Sequence, residues 1–336
     1  MIEMLDLLSQ IDVEVWIIFG ASLASFLLLF VILYNVRQYA QGGQYRKNHR
    51  MDGKVVIITG SSSGIGFETA LDLARRGARI YMACRNYEKC EIARLEIVRK
   101  SDNSNIYNRS LDLASFDSIR SFVSTFLDEE TRLDVLINNA GVFYAPYLLT
   151  KEGHEMHFGV NYLGHFLLTN LLLDTLKKSE PSRIVNVSSY FYAQGHINKN
   201  DLDSRQTYDR ISAYNQSKLA LILFTRHLAH QLRCTRVTVN AVNPGNVLTN
   251  ISRHMRIHRL AHAVGPVLST FILKTPRSGA QTSIKVAVDP KLEFISGKYF
   301  SEVKEEDLVP HAEDEQTAEW LWNESLRLTE LYDRNV

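Results

Sequence analysis

Apolar positions follow three patterns along the chain. From Val15 to Tyr34 twenty residues run without a charge and without a polar face. At ~1.5 Å per residue such a helix crosses the ~30 Å hydrocarbon layer, which predicts a membrane anchor rather than a packed core helix. Short runs, the first of them apolar and β-branched between Gly53 and Gly60, then predict buried parallel strands. They lie at Lys54–Ile58, Arg79–Cys84, Ile106–Leu111, Asp134–Asn138, Arg183–Val187, Val237–Val242 and Lys298–Phe300. Between them, spacings of three and four predict amphipathic helices. Phe67–Arg76 has Ala70, Leu73 and Ala74 on one face and Gly77 as its stop; Ser115–Leu127 and Asn161–Leu176 follow the same rule. This alternation predicts an α/β fold, a doubly wound parallel sheet (Rossmann fold) forming a single domain behind an N-terminal transmembrane helix. The expected divisions are a short tail over 1–14, the anchor over 15–34, a linker over 35–51, the α/β domain over 52–303, and a C-terminal tail with a packing helix over 304–336.

Charge sharpens the first of these elements. Glu3, Asp6, Asp12 and Glu14 precede the apolar run, and Arg37, Arg46, Lys47 and Arg50 follow it. A secretory signal peptide would start basic and have a shorter apolar core. Bases favour the cytoplasmic side, so the body is expected in the cytosol, with the lipid bilayer as partner. The endoplasmic reticulum is the expected membrane, and mitochondrial or lipid-droplet membranes stay open. Overall, 38 Lys and Arg against 37 Asp and Glu give +1, which argues against a nucleic-acid partner. Cys84, Cys90 and Cys234 form no C-x-x-C pair and no even framework, which argues against a disulfide scaffold or a zinc ribbon and suits a reducing compartment.

The first strand runs into Thr59-Gly-Ser-Ser-Ser-Gly-Ile-Gly66, ahead of a helix. Glycines there let the backbone turn tightly and approach a pyrophosphate at the helix N-terminus, where free N–H groups and the helix dipole favour negative charge. The second strand ends in Cys84-Arg85, where an NAD site usually places a carboxylate against the ribose hydroxyls. An arginine pairs with a 2′-phosphate that a carboxylate would repel, so the expected cofactor is NADP(H).

Tyr214-Asn-Gln-Ser-Lys218 puts a phenol and an ammonium on one helical face. A nearby cation favours the phenolate, and so predicts a Tyr214 pKa lowered toward the working range. With these residues the chain resembles the short-chain dehydrogenase/reductase family from Lys54 to Phe300. The matching pieces, in order, are the glycine loop, Asp112-Leu113, Asn138-Asn-Ala-Gly141, Asn161, Asn186-Val-Ser-Ser189, Tyr214 with Lys218, and Pro244-Gly245. The resemblance implies that Tyr214 exchanges a proton with the substrate oxygen and that Lys218 holds the nicotinamide ribose. It further implies that Ser189 positions the reacting oxygen and that Asn161 keeps a water as a proton relay. Ser189 rather than Ser188 is chosen because the family's serine lies three positions after the strand asparagine, here Asn186. Cofactor contacts are implied at Gly60, Ser62, Ser63, Gly64, Ile65, Gly66, Arg85, Asp112, Leu113, Asn138, Ala140, Gly141, Tyr214, Lys218, Pro244, Gly245, Val247 and Thr249, and no metal is required.

The insertion Tyr190–Ala213, the run Phe158–Phe166 and the segment Leu273–Ser283 resemble the membrane-anchored retinol dehydrogenases that prefer NADP(H). That resemblance implies a lipophilic substrate: reduction of all-trans-retinal and related long-chain aldehydes, or oxidation of retinol. A sterol, polyprenol or lipid-derived carbonyl is the nearest alternative. An idle NADP(H)-sensing interaction protein is the alternative of another class. Members of the family often dimerise, and the sequence leaves a homodimer open. Ile251–Leu273 reads as an apolar lid edged with arginines, and His254, His258 and His262 on it lack the carboxylate or cysteine of a metal site. Glu315–Leu331 carries Ala318, Leu321, Trp322, Leu326 and Leu328 and is expected to pack on the domain.

Overall fold

In a computed structural model, residues 12–247 and 273–331 are described. The lid segment, Thr249 and the three lid histidines lie outside the described residues. The chain divides into an N-terminal helical unit that ends at Gly42 and a body that begins at Gly43. The helix, α1 (Val13–Gln41), runs 29 residues and buries none of them. It therefore takes in the first part of the expected linker, because Asn35–Gln41 continues the helical spacing until Gly42 turns at φ 65°.

The body alternates β1 (Val55–Thr59), α2 (Gly64–Arg75), β2 (Arg79–Cys84), α3 (Tyr87–Ser101), β3 (Ile106–Ser110), α4 (Phe116–Glu129) and β4 (Val135–Asn138). After a π-helix at Phe158–Leu163 come α5 (Gly164–Lys178), β5 (Ser182–Val187), α6 (Arg210–Gln231) and β6 (Val237–Asn243). The described C-terminal elements are α7 (Gln281–Val288), β7 (Tyr299–Ser301), β8 (Lys304–Glu306) and α8 (Glu315–Leu328). The strands form one sheet in the order β3-β2-β1-β4-β5-β6-β7-β8, parallel as far as β7.

Every residue of β1 is buried, as expected of a strand covered on both faces. One face packs against Phe122, Phe126, Phe166, Phe224 and Trp322 from α4, α5, α6 and α8. The other packs against Leu73, Ala74, Ile97 and Ile284 from α2, α3 and α7. The sheet is thus doubly wound, with its order reversing between β1 and β4, and a crevice at such a reversal is where this architecture binds ligands.

Two features depart from the sequence reading. β8 pairs antiparallel with β7 just beyond the expected domain boundary at residue 303; its Lys-Glu-Glu sequence carries no strand signal, and pairing across a two-residue turn makes it a strand. Cys84 and Cys90 form a disulfide, with Cα atoms 6.2 Å apart, a single pairing that the sequence reading did not assign. The short connection from β2 into α3 folds these two positions together.

Candidate active site

The β1–α2 turn is built for close approach. Gly60 and Gly64 adopt φ of 67° and 61°, a region open to glycine at little cost. A Cβ on Gly60 would lie 2.9 Å from the Ala140 Cα, and one on Gly66 would lie 2.5 Å from the Gly60 carbonyl oxygen. The turn therefore presses against the end of β4 with no room for a side chain. Asn86, Ser115, Asp209 and Asp314 cap their helices through side-chain acceptors, whereas Ser63 makes no such bond at α2. The first N–H groups of α2 are left for a ligand, and these features fit a dinucleotide phosphate. Arg85 is exposed at the end of β2 and makes no ion pair among the described residues, which leaves its guanidinium for a phosphate. Asp112 sits beyond β3 and accepts the Ala114 N–H at 3.0 Å.

Thr59 ties this crevice together. Its hydroxyl accepts the N–H groups of Asn139 and Ala140, both at 2.9 Å, and lies 2.9 Å from His165 Nε2. His165 Nδ1 lies 2.9 Å from the Asn161 carbonyl. Burial pushes His165 down to about 4. A neutral ring fits the chain in which Thr59 donates to Nε2 and Nδ1–H donates to Asn161. Neither residue was assigned a role from the sequence; a histidine four positions after Asn161 was the available signal.

Asn161 sits within the π-helix, an irregularity often found at functional sites. Its amide accepts the Val142 N–H at 2.8 Å and donates to the Ser217 hydroxyl at 2.9 Å. A Cβ on Gly141 would stand 3.2 Å from Asn161 Oδ1 and 3.8 Å from Lys218 Nζ, so the two groups flank one glycine.

The 22-residue α6 carries Tyr214 and Lys218 on its buried side. The Ser189 hydroxyl stands near enough to the Tyr214 phenol to favour its ionised form, whereas Ser188 turns away and donates to the Lys218 carbonyl at 3.0 Å. Lys218 Nζ donates to the Val187 carbonyl at 3.0 Å and lies 5.6 Å from the centre of the Tyr214 ring. The titration of this pair corrects one expectation. Burial pushes the Tyr214 phenol up to about 12, against the lowering by the nearby Ser189 hydroxyl. Burial also pushes Lys218 down to about 7. A lysine only partly charged at neutrality cannot offset the desolvation of the phenolate, so Tyr214 rests as a proton donor.

A stability test follows. Lys218 has a folded pKa below its ordinary value, so the unfolded chain binds the extra proton between about pH 7 and 10.5. Stability is therefore expected to rise with pH across that window, by at most about 5 kcal/mol. Denaturant unfolding of wild type and Lys218→Met should show the slope in the first and its loss in the second.

Two predicted cofactor residues point elsewhere. Asn138 is fully buried, and its amide donates to Thr169 and Asn186 at 2.9 and 2.8 Å, tying β4 to β5 behind the crevice. The Leu113 side chain belongs to the core. Gly245 turns at φ 79° beside Lys274, and Val247 bridges to Lys274.

The substrate side is aromatic. Phe143 meets the Tyr214 ring edge-on at 4.7 Å, and Phe191 lies 6.0 Å from it. Behind them the buried Glu155 carboxylate lies 2.7 Å from His157 Nδ1, while His157 Nε2 accepts the Ala145 N–H at 3.3 Å. The insertion reaches this base through Asp203, which accepts the Glu155 N–H at 3.1 Å. Periodicity gave no sign of this wall, since its residues come from irregular segments. His157→Leu takes away one of the two groups that meet the buried Glu155 carboxyl, leaving the Phe158 N–H at 2.9 Å, and is expected to cost about 1–3 kcal/mol in denaturant unfolding. His157→Gln keeps a donor and should cost less.

The short chain dehydrogenase family model matches residues 54–259, which span the glycine turn, Ser189, Tyr214 and Lys218. The chain belongs to the short-chain dehydrogenases. As such it is an oxidoreductase using NAD(P)(H), and the expected family and fold hold. This dehydrogenase is 50% identical over 286 residues to retinol dehydrogenase 14 of Homo sapiens, covering 81% of this chain and 85% of that one. It is 48% identical over 309 residues to human retinol dehydrogenase 12, covering 92% and 96%. Retinol dehydrogenase 13 of Mus musculus is 47% identical over 300 residues, covering 88% and 90%. Among solved structures, an uncharacterized protein from Mycobacterium paratuberculosis is 34% identical with a TM-score of 0.68, over 84% of this chain and 95% of that one. A short chain dehydrogenase from Shigella flexneri complexed with NADP shares the fold at 24% identity and a TM-score of 0.61, over 77% and 100%.

Proposed function

We propose that this dehydrogenase is an NADP(H)-dependent reductase of all-trans-retinal and related long-chain aldehydes, able to run the reverse oxidation of retinol. The observation that carries the reading is the Ser189–Tyr214 hydroxyl pair set against Phe143 and Phe191: a proton donor facing an apolar, aromatic wall. The likeness to retinol dehydrogenases 12, 13 and 14 supports the substrate class. Gly60, Gly64 and Gly66 admit the cofactor phosphates, Arg85 takes the 2′-phosphate, and Lys218 holds the nicotinamide ribose. When bound, the nicotinamide supplies the hydride. Ser189 orients the carbonyl oxygen, and Tyr214 gives it a proton as the carbonyl becomes an alcohol. Lys218 and Asn161, flanking Gly141, carry the replacement proton. A phenol protonated at neutrality favours reduction over oxidation.

Turnover by the detergent-solubilised protein with NADPH and NADH against retinal, a ketosteroid and a medium-chain aldehyde tests this reading. A ketosteroid turned over far faster than retinal would discard the retinoid. Arg85→Ala should lower kcat/KM with NADPH by about 10- to 100-fold, the effect of one charge-assisted contact, and leave NADH nearly unchanged. Equal losses with both cofactors would sink the Arg85 assignment.

In the same reading α1 is a membrane anchor and the body lies on the cytosolic side of the endoplasmic reticulum. The acidic and basic flanks of α1 support that orientation. The Cys84–Cys90 disulfide weighs against it, since such bonds are rare in reducing compartments. Protease protection of intact membranes decides: a shielded body cannot be cytosolic.

A further inference from the structure

A second concavity lies within the body, lined by none of the residues given a catalytic or cofactor role above. It is a cavity of about 450 Å³ walled by the segment at Gln44–Arg46, the exposed side of α2 and the start of α7. Arg46, Arg75 and Arg277 line it, with Glu68 and Asp72 as the opposing carboxylates. The Asp72 charge is already met, because Arg76 contacts it at 2.5 Å. Arg46, Arg75 and Arg277 make no ion pair among the described residues, and all three are exposed. Three cations therefore face one uncommitted carboxylate, Glu68. The walls are held in place: Gln281 accepts the Tyr45 N–H at 3.0 Å and donates to the Arg277 carbonyl at 3.0 Å.

The catalytic scheme uses none of these arginines. Chain length says what they meet. Gln44 follows Gln41, the last residue of α1, by three positions, so about 11 Å of extended chain at most separates them. A cavity that begins so soon after a membrane helix lies within reach of lipid headgroups. Guanidinium groups match phosphate oxygens in charge and in paired hydrogen-bond geometry, and basic clusters beside a membrane helix attract anionic lipid.

We propose that this cavity binds the phosphate of an anionic phospholipid headgroup through Arg46, Arg75 and Arg277. The proposal rests on the membrane-anchored reading of α1. Headgroup binding would fix the body against the surface from which a lipophilic substrate arrives.

The test uses the full chain in nonionic detergent micelles with saturating NADPH, so that the cofactor phosphate site is filled. Calorimetric titration with dihexanoyl phosphatidic acid should show saturable binding, and dihexanoyl phosphatidylcholine should show none. The double variant Arg46→Gln, Arg277→Gln should weaken binding at least tenfold while keeping wild-type turnover and melting temperature. Glu68→Gln, which removes the opposing charge, should tighten it severalfold, a gain that misfolding cannot produce. Absence of saturable binding, or binding untouched by the double variant, would overturn the proposal. Inorganic phosphate binding as tightly as the lipid would overturn the lipid assignment. Alkaline carbonate extraction from membranes separately tests the anchor: release of the protein refutes the anchored reading, whatever the micelle titration shows.

Discussion

Tyr214→Phe is expected to reduce turnover by about 10²- to 10⁴-fold, the range for loss of a positioned general acid. The ring would keep its place, because Phe143 holds it edge-on at 4.7 Å and Phe191 at 6.0 Å, neither through the hydroxyl. Only the proton donor and its interaction with the Ser189 hydroxyl disappear. NADPH affinity and the melting temperature should therefore stay close to wild type while NADPH consumption with retinal collapses. Stopped-time assays of retinol formation check this, with cofactor binding followed in parallel. Normal turnover by the variant would remove Tyr214 from the chemistry. A loss of cofactor affinity would show instead that the hydroxyl is structural.

Gly66→Ala should be nearly as damaging, through a different link. Its Cβ would fall 2.5 Å from the Gly60 carbonyl oxygen and 2.6 Å from Asn139 Nδ2. Asn139 cannot swing aside freely, since Nδ2 donates to the Thr59 carbonyl at 2.8 Å and its own N–H donates to the Thr59 hydroxyl. The glycine turn must open, which spoils the backbone path along the phosphates. NADPH affinity is expected to fall roughly a hundredfold, equivalent to about 2.7 kcal/mol. Overpacking should also cost stability, about 1–3 kcal/mol. Fluorescence titration with NADPH and a thermal melt measure the two effects. Unchanged affinity would mean that the turn does not carry the cofactor.

Much of the fold was legible because its determinants are local. Arg79–Cys84 is a strand with the bounds that its sequence run predicts, and the remaining parallel strands shift by a residue at one or both ends. The apolar positions of α8 pack into the core as expected, with Trp322 edge-on to Phe166 at 5.0 Å. Ser189 was distinguishable from Ser188 by its offset from Asn186, and the two hydroxyls do face different ways. What stayed hidden depends on non-local packing. β8 exists only because β7 offers it a partner. Asn138 sits in a motif that suggests a ligand contact, yet its amide faces inward because Thr169 and Asn186 stand opposite it. The direction of the Tyr214 shift could not be read from an i, i+4 pair, since it is set by how deeply α6 is buried. The Glu155–His157 pair and the Thr59–His165 link join residues from different elements, and no periodicity announces them.

The sheet closes at one edge with β8, three exposed residues, Lys304, Glu305 and Glu306, running against the direction of all the others. An open edge strand invites another chain to add to it, and short length and charge are the usual safeguards. For copies held side by side on one membrane surface, such pairing would otherwise be favoured. A short, charged and reversed final strand gives an incoming strand almost nothing to pair with. Copies brought together in that way would stay neighbours and would not add strand to strand.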